Sequence, residues 1–202
     1  MSARIDKVVI PGVFSLDGQA FDVENNVWLV GDDDEVLVVD APHDAAPIVE
    51  AVGGRRVTAI VLTHGHDDHI TAAPALREAV DAPIWFHPAD RMLWDMTHPG
   101  IAPDRDLDAD LRFRVAGAEL LVLHTPGHSP GSTCLHAPEL TTVFTGDTLF
   151  RGGPGATGRS FSDEPTILAS IRSQLLTLHG DTVVRTGHGD DTTIAAELRH
   201  AG

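Results

Sequence analysis

Apolar and polar positions follow two periods along this chain, and the changes between them mark its elements. NVWLVG (26–31) and EVLVVDA (35–41) are dense in β-branched residues and flank the acidic triplet Asp32, Asp33 and Asp34. That pattern predicts a hairpin-like pair of strands. In DAAPIVEAV (44–52) the apolar positions fall three and four apart, as in a helix. RVTAIVLT (56–63) is almost wholly apolar, which suits a strand covered on both faces of its sheet. DDHITAAPALREAV (67–80) opens on two aspartates and continues with helical spacing, predicting one helix in spite of Pro74. A short strand at 82–88, a helix around 88–96 and a Pro- and Asp-rich loop over 98–110 follow.

The second half repeats the theme. Strands are expected at 111–115, 118–124, 132–136 and 141–145, followed by a glycine-rich loop at 150–162. A periodic helix over 163–178, a strand over 181–189 and a helix over 191–200, capped by Asp191 or Thr192, complete the chain. Strand runs with helices inserted in each half predict two packed sheets with helices outside, an α/β architecture.

Composition narrows the function. At 202 residues the chain suits a single domain spanning 1–202. A formal net charge of −16 would repel phosphate backbones, so nucleic acid is not an expected partner. No stretch approaches the roughly 18 apolar residues of a membrane span, and the apolar run near the start is broken by Pro11 and Gly12. Cys134 is the only cysteine, which suits a reducing cytoplasm. The expectation is a cytoplasmic protein of unspecified oligomeric state with no membrane partner.

The candidate chemistry lies in THGHDDH (63–69), which gathers His64, His66, Asp68 and His69. Three more residues of ligand type occupy loops after expected strands. His128 lies in TPGHSPGS, Asp147 in TGDTLF and His188 in TGHGDD. One histidine at a strand end would carry little weight, and Asp67 reads as an ordinary helix-start carboxylate. Four loops delivering imidazoles and carboxylates to one sheet edge carry much more. That donor set suits zinc, iron or manganese. Glycines 65, 127, 146, 187 and 189 flank the candidates, where a side chain could obstruct a metal. The GGPGATG stretch lacks the Lys-Ser/Thr of a phosphate loop and reads as a wall of the substrate groove.

THGHDDH, TPGHSPGS, TGDTLF and TGHG, in this order, resemble the metallo-β-lactamase superfamily, and most closely its glyoxalase II-like hydrolases. The resemblance implies a single-domain, four-layer αββα sandwich with two divalent metals, zinc first and iron or manganese as alternatives. One metal would take His64, His66 and His128, the other Asp68, His69 and His188, with Asp147 bridging. Asp68 and Asp147 would be the catalytic carboxylates, and Asp40 in VVDAP would either orient a ligand histidine or serve only as a turn residue.

The implied reaction is cleavage of a small-molecule acyl thioester by metal-bound hydroxide. A thiolate leaves without a proton donor, and the chain has no tyrosine of the kind that lactone-cleaving relatives place over the substrate. No helical domain of the glutathione-specific type is expected after the core. Ala156 stands where those enzymes carry a lysine or arginine, leaving Arg151 and Arg159 as candidate substrate contacts. Two rivals remain at this stage. One is a persulfide dioxygenase with a single ferrous iron on His64, His128 and Asp147; the other is a metal-binding protein without catalysis.

Overall fold

The computed structural model describes residues 3–200; residues 1–2 and 201–202 of the expected 1–202 domain, and the side chain of His200, lie outside the described residues. Its chain starts with a long hairpin, β1 (Arg4–Leu16) and β2 (Gln19–Gly31), paired antiparallel from Arg4 with Gly31 to Leu16 with Gln19. The apolar pattern predicts a strand only from residue 26. The earlier part is half exposed, and Pro11 reads as a break. In fact β1 is a sheet edge, where a missing N–H costs no ladder bond. Asp17 and Gly18 close the hairpin with φ of 55° and 72°, the paired left-handed conformation that a two-residue turn requires.

The first sheet continues through β3 (Glu35–Val39), β4 (Arg56–Val61), β5 (Ile84–Phe86) and β6 (Arg105–Asp106), in chain order. The second sheet has six strands as well: β7 (Arg112–Val115), β8 (Ala118–His124), β9 (Thr133–Ala137), β10 (Thr142–Gly146), β13 (Val183–Thr186) and β14 (Thr192–Thr193). Their spatial order is β14-β13-β10-β9-β8-β7, and a two-stranded ribbon, β11 (Leu149–Phe150) with β12 (Gly153–Pro154), stands apart. β9 is antiparallel to both β8 and β10, while β10 and β13 are parallel. The C-terminal ends of β8, β10 and β13 therefore share one edge.

Alternation along the strands divides the core into three seams. Trp28, Val30, Leu37, Val39 and Val61 face Phe113, Leu120, Val122, Leu135 and Phe144 between the sheets. Their neighbours Val27, Leu29, Val36, Val38 and Ile60 turn outward onto α1 (Ala45–Val52), α3 (Ala73–Val80) and α4 (Arg91–Thr97). On the far side Cys134, Val143 and Val184 pack against Ile167 of α5 (Glu164–Ser170) and Ile194 of α6 (Ile194–His200). Three seams separate four layers, so the αββα sandwich is the observed fold.

The helix expected over 67–80 is two helices, α2 (Asp67–Ile70) and α3. Pro74 in the first turn of α3 has no N–H to return to the Ile70 carbonyl. The buried His98 donates to that carbonyl instead, at 2.9 Å. The expected helix over 163–178 is likewise α5 followed by a π-helical turn at Ile171–Leu175.

Candidate metal centre

The seven candidate residues meet at the edge where the strands end. His64, His66, Asp68 and His69 follow β4; His128, Asp147 and His188 follow β8, β10 and β13. The backbone ties the edge together across the sheets: Thr133 N–H donates to the Thr63 carbonyl at 2.8 Å, and Asn26 N–H to the Gly187 carbonyl at 2.7 Å. Gly187 leaves space for the site itself. A Cβ there would fall 2.3 Å from Asp147 Oδ1 and 2.8 Å from His69 Cε1.

Hydrogen bonds fix which ring nitrogen of each histidine faces inward. His69 donates Nδ1–H to Asp40 Oδ2 at 2.9 Å, His128 to the Ala156 carbonyl at 2.9 Å and His188 to the Glu24 carbonyl at 2.8 Å. His64 Nδ1 lies 3.1 Å from Thr63 Oγ1, whose own hydrogen goes to Asp40 Oδ2. These assignments leave four Nε2 atoms pointing into the site. His66 turns the other way, with Nδ1 3.1 Å from His64 Nε2 and 3.0 Å from His128 Nε2.

Three ligand-type groups result: His64–His66–His128, His64–His69–Asp147 and Asp68–His69–His188, with the atoms of each within 4.8 Å of one another. Asp147 reaches both ends of the cluster. Its Oδ2 lies 3.6 Å from His128 Nε2 and 3.4 Å from His188 Nε2, and its Oδ1 is buried without a hydrogen-bond partner. Imidazole nitrogens about 3 Å apart, set beside the carboxylates of Asp68 and Asp147, make a group of lone pairs that a cation can gather. The donor set therefore fits a divalent metal.

Charge leads to the same conclusion. Burial holds His64 well below the ordinary imidazole range and lowers His66 to about 3. Burial also opposes charge on His69 and His188, but carboxylates outweigh it, Asp68 first for His69 and Asp147 first for His188. His69 is raised well above its usual value and His188 to about 10. Burial raises both carboxylates, but His69 and His188 together, with the Asn25 hydrogen bond at Asp68, outweigh it: Asp68 falls to about 2 and Asp147 well below the carboxylate range. Without metal, protons on His69 and His188 balance the two carboxylates; a divalent cation would displace them.

Two supporting residues escape the sequence reading. Asn25, wholly buried on β2, donates Nδ2–H to Asp68 Oδ2 at 3.0 Å, and its Oδ1 lies 2.8 Å from His43 Nε2. His43 sits at φ 47°, over Gly12, where a Cβ would run into the imidazole ring at 2.2 Å. Asn25 lies between Glu24 and Asn26, ahead of the apolar VWLV, so no local pattern marked it.

A groove of about 940 Å³ opens over the cluster, lined by Phe14, Phe21, Phe150, Ala156 and Arg159 among others. The Phe14 ring lies 5.1 Å from the His66 ring, centroid to centroid. Arg159 lies over Phe21, 4.4 Å from the ring centroid, and its Nη1 is 3.3 Å from Gln19 Oε1. Arg151 does not line the groove; it pairs on the surface with Asp190 Oδ2 at 2.9 Å.

A sequence profile of the metallo-beta-lactamase superfamily matches residues 21–188, a span that contains all seven residues. The chain belongs to the metallo-β-lactamase superfamily. Within the superfamily it is 32% identical over 192 residues to the hydroxyacylglutathione hydrolase GloC of Haemophilus influenzae, covering 87% of this chain and 91% of that one. The crystal structure of TTHA1623 in a di-iron-bound form superposes with a TM-score of 0.78 at 34% identity, over 88% of this chain and 94% of that chain. ETHE1 from Myxococcus xanthus gives a TM-score of 0.75 at 26% identity, over 95% and 82% of the two chains. Among the described residues no helix is long and apolar enough to cross a membrane.

Proposed function

We propose that this metallo-hydrolase cleaves a small-molecule acyl thioester with two divalent metals, zinc being the first expectation. The observation that carries the reading is the pair of ligand groups joined through Asp147 beneath an open groove. His64, His66 and His128 would hold one metal, Asp68, His69 and His188 the other, and Asp147 both. Such metals, when bound, lower the pKa of water to about 7 and polarise a carbonyl, so the nucleophile is available at neutral pH.

The protein's own groups supply the rest. Asp68 and Asp147 stay ionised and hold negative charge at the centre. Asp40 and Asn25 keep His69 and Asp68 in place. Phe14, Phe21 and Phe150 give the groove an apolar wall, and Arg159 offers a cation to an anionic group of the substrate. A departing thiolate needs no proton donor, since its parent thiol has a pKa near 8.5. Cys134 is no rival nucleophile: burial raises its thiol to about 11, and it packs behind the second sheet. A free buried thiol also agrees with a reducing compartment such as the cytoplasm.

The similarity to the hydroxyacylglutathione hydrolase GloC supports the thioester class. Ala156 at the groove argues for a carrier thiol other than glutathione. The test is thiol release from a panel of thioesters with matched acyl groups, with oxygen monitored. Hydrolysis with S-lactoylglutathione slower than another carrier supports the reading. Oxygen uptake on a persulfide, with no thiol released, would favour the mononuclear iron dioxygenase. A metal-loaded protein inert on both would favour metal binding without catalysis.

A further inference from the structure

Asp90 lies on the turn after β5, at the entrance to α4, and is 1% exposed. A carboxylate buried so deeply needs donors, and it has three. Its Oδ2 accepts from Gly65 N–H at 2.8 Å and from Ser129 Oγ at 2.6 Å, and its Oδ1 from Gly131 N–H at 2.5 Å. These donors belong to two loops from different sheets. Gly65 separates His64 from His66 after β4; Ser129 and Gly131 follow His128 in the turn between β8 and β9. None of Asp90's hydrogen bonds is made to a candidate ligand.

The packing around Asp90 is equally close. A Cβ on Gly65 would fall 2.8 Å from Leu93 Cβ and 3.0 Å from Asp90 Cβ, and one on Gly131 would fall 2.7 Å from Asp90 Cγ. Gly65 is therefore small because Asp90 and Leu93 fill the space behind it, not to clear the path of a metal. Ser129 is held from a second side by Ser132, whose Oγ is 2.8 Å from Ser129 Oγ and accepts from Ser129 N–H at 3.0 Å.

We propose that Asp90 is the positioning residue for the His64–His66–His128 half of the centre, fastening the two loops that carry those histidines. The proposal rests on the metal-binding reading above. An asparagine would keep the shape of the side chain but turn an N–H toward at least one donor, leaving a buried group unpaired. The other half of the centre takes supports from Asp40, just after β3, and Asn25, on β2, and should not notice.

The test is a cobalt(II) titration of metal-free parent, Asp90→Asn, Ser129→Ala and His66→Ala, followed by visible absorption, with thermal unfolding of each metal-free protein. His66→Ala identifies the binding step that belongs to this half. Asp90→Asn should weaken that step about tenfold to a hundredfold and alter its spectrum, leaving the other step unchanged. Ser129→Ala should do the same to a smaller degree, and it serves if Asp90→Asn does not fold. Equal weakening of both steps alongside a lower Tm would make Asp90 merely structural and overturn the proposal, as would two unaltered steps. A parent that takes up no cobalt would defeat the metal-binding reading itself, and the proposal with it.

Discussion

Asp40→Asn isolates one hydrogen bond in the support of the centre. Asp40 is buried at φ 64°, a left-handed conformation that asparagine also tolerates, so the backbone should survive the change. Its Oδ1 accepts from Thr63 N–H at 2.7 Å, and its Oδ2 from Thr63 Oγ1 and His69 Nδ1–H, each at 2.9 Å. In the variant the amide oxygen can keep the Thr63 backbone bond, and the Thr63 hydroxyl can rotate to accept. His69 has no such freedom: its Nδ1–H would face an N–H. The ring must then move its proton to Nε2, the nitrogen directed at Asp68 and Asp147, where a protonated imidazole cannot ligate. Loss of a hydrogen bond to a charged acceptor costs about 1.5–3 kcal/mol. At about 1.4 kcal/mol per tenfold, that is roughly ten- to over a hundredfold in affinity, close to the usual effect of removing such a support. Zinc competition against a chelator, with 15N chemical shifts for the His69 ring, reads both effects. The Asp68–His69–His188 half should weaken by that factor; the His64–His66–His128 half should weaken less, through the Thr63 hydroxyl that lies 3.1 Å from His64 Nδ1. Unchanged affinity at both halves, or a proton still on Nδ1, would refute the reasoning.

Gly187→Ala should lower activity at least tenfold in a folded protein, because its Cβ would displace Asp147 Oδ1; circular dichroism and kcat with a thioester check both parts. Metal uptake at pH 7.5 should release two protons from His69 and His188 and most of a third from metal-bound water, measurable by calorimetry in buffers of different ionisation enthalpy. The metal-free protein should be most stable near pH 6.5. Above it, stability is lost as the raised His188 titrates toward about 10; below it, His64 and His66, neutral when folded, take up protons on unfolding. Urea unfolding across pH 4–10 checks that optimum. Cys134→Ala should leave kcat within about twofold at a stability cost of about 1 kcal/mol, the central value for a point substitution; an acyl group trapped on any side chain would contradict it.

What the sequence disclosed follows the strength of each physical signal. β3, β4 and β10 are buried on both faces, and their apolar runs stand out from the chain. The metal-type cluster was legible because imidazoles and carboxylates at strand ends have few structural uses in common. The edge of the first sheet was not, since β1 and the start of β2 are half exposed and Pro11 imitates a break. The Asp17–Gly18 turn was the cue that could have corrected it. The break before α3 was hidden because Pro74 suits both a kink and a first turn, and only tertiary packing brings His98 to the vacated carbonyl. Asn25 and Asp90 support the site from 43 and 25 residues away in sequence, and no local pattern announces such pairings.

The most direct measurement is thiol release from an acyl thioester as metal is returned to the metal-free protein, with dissolved oxygen followed in the same cell. The account predicts hydrolysis that rises to a plateau at two equivalents of metal per chain with no oxygen consumed. A plateau at one equivalent, or no thiol from any carrier with both equivalents bound, would contradict it.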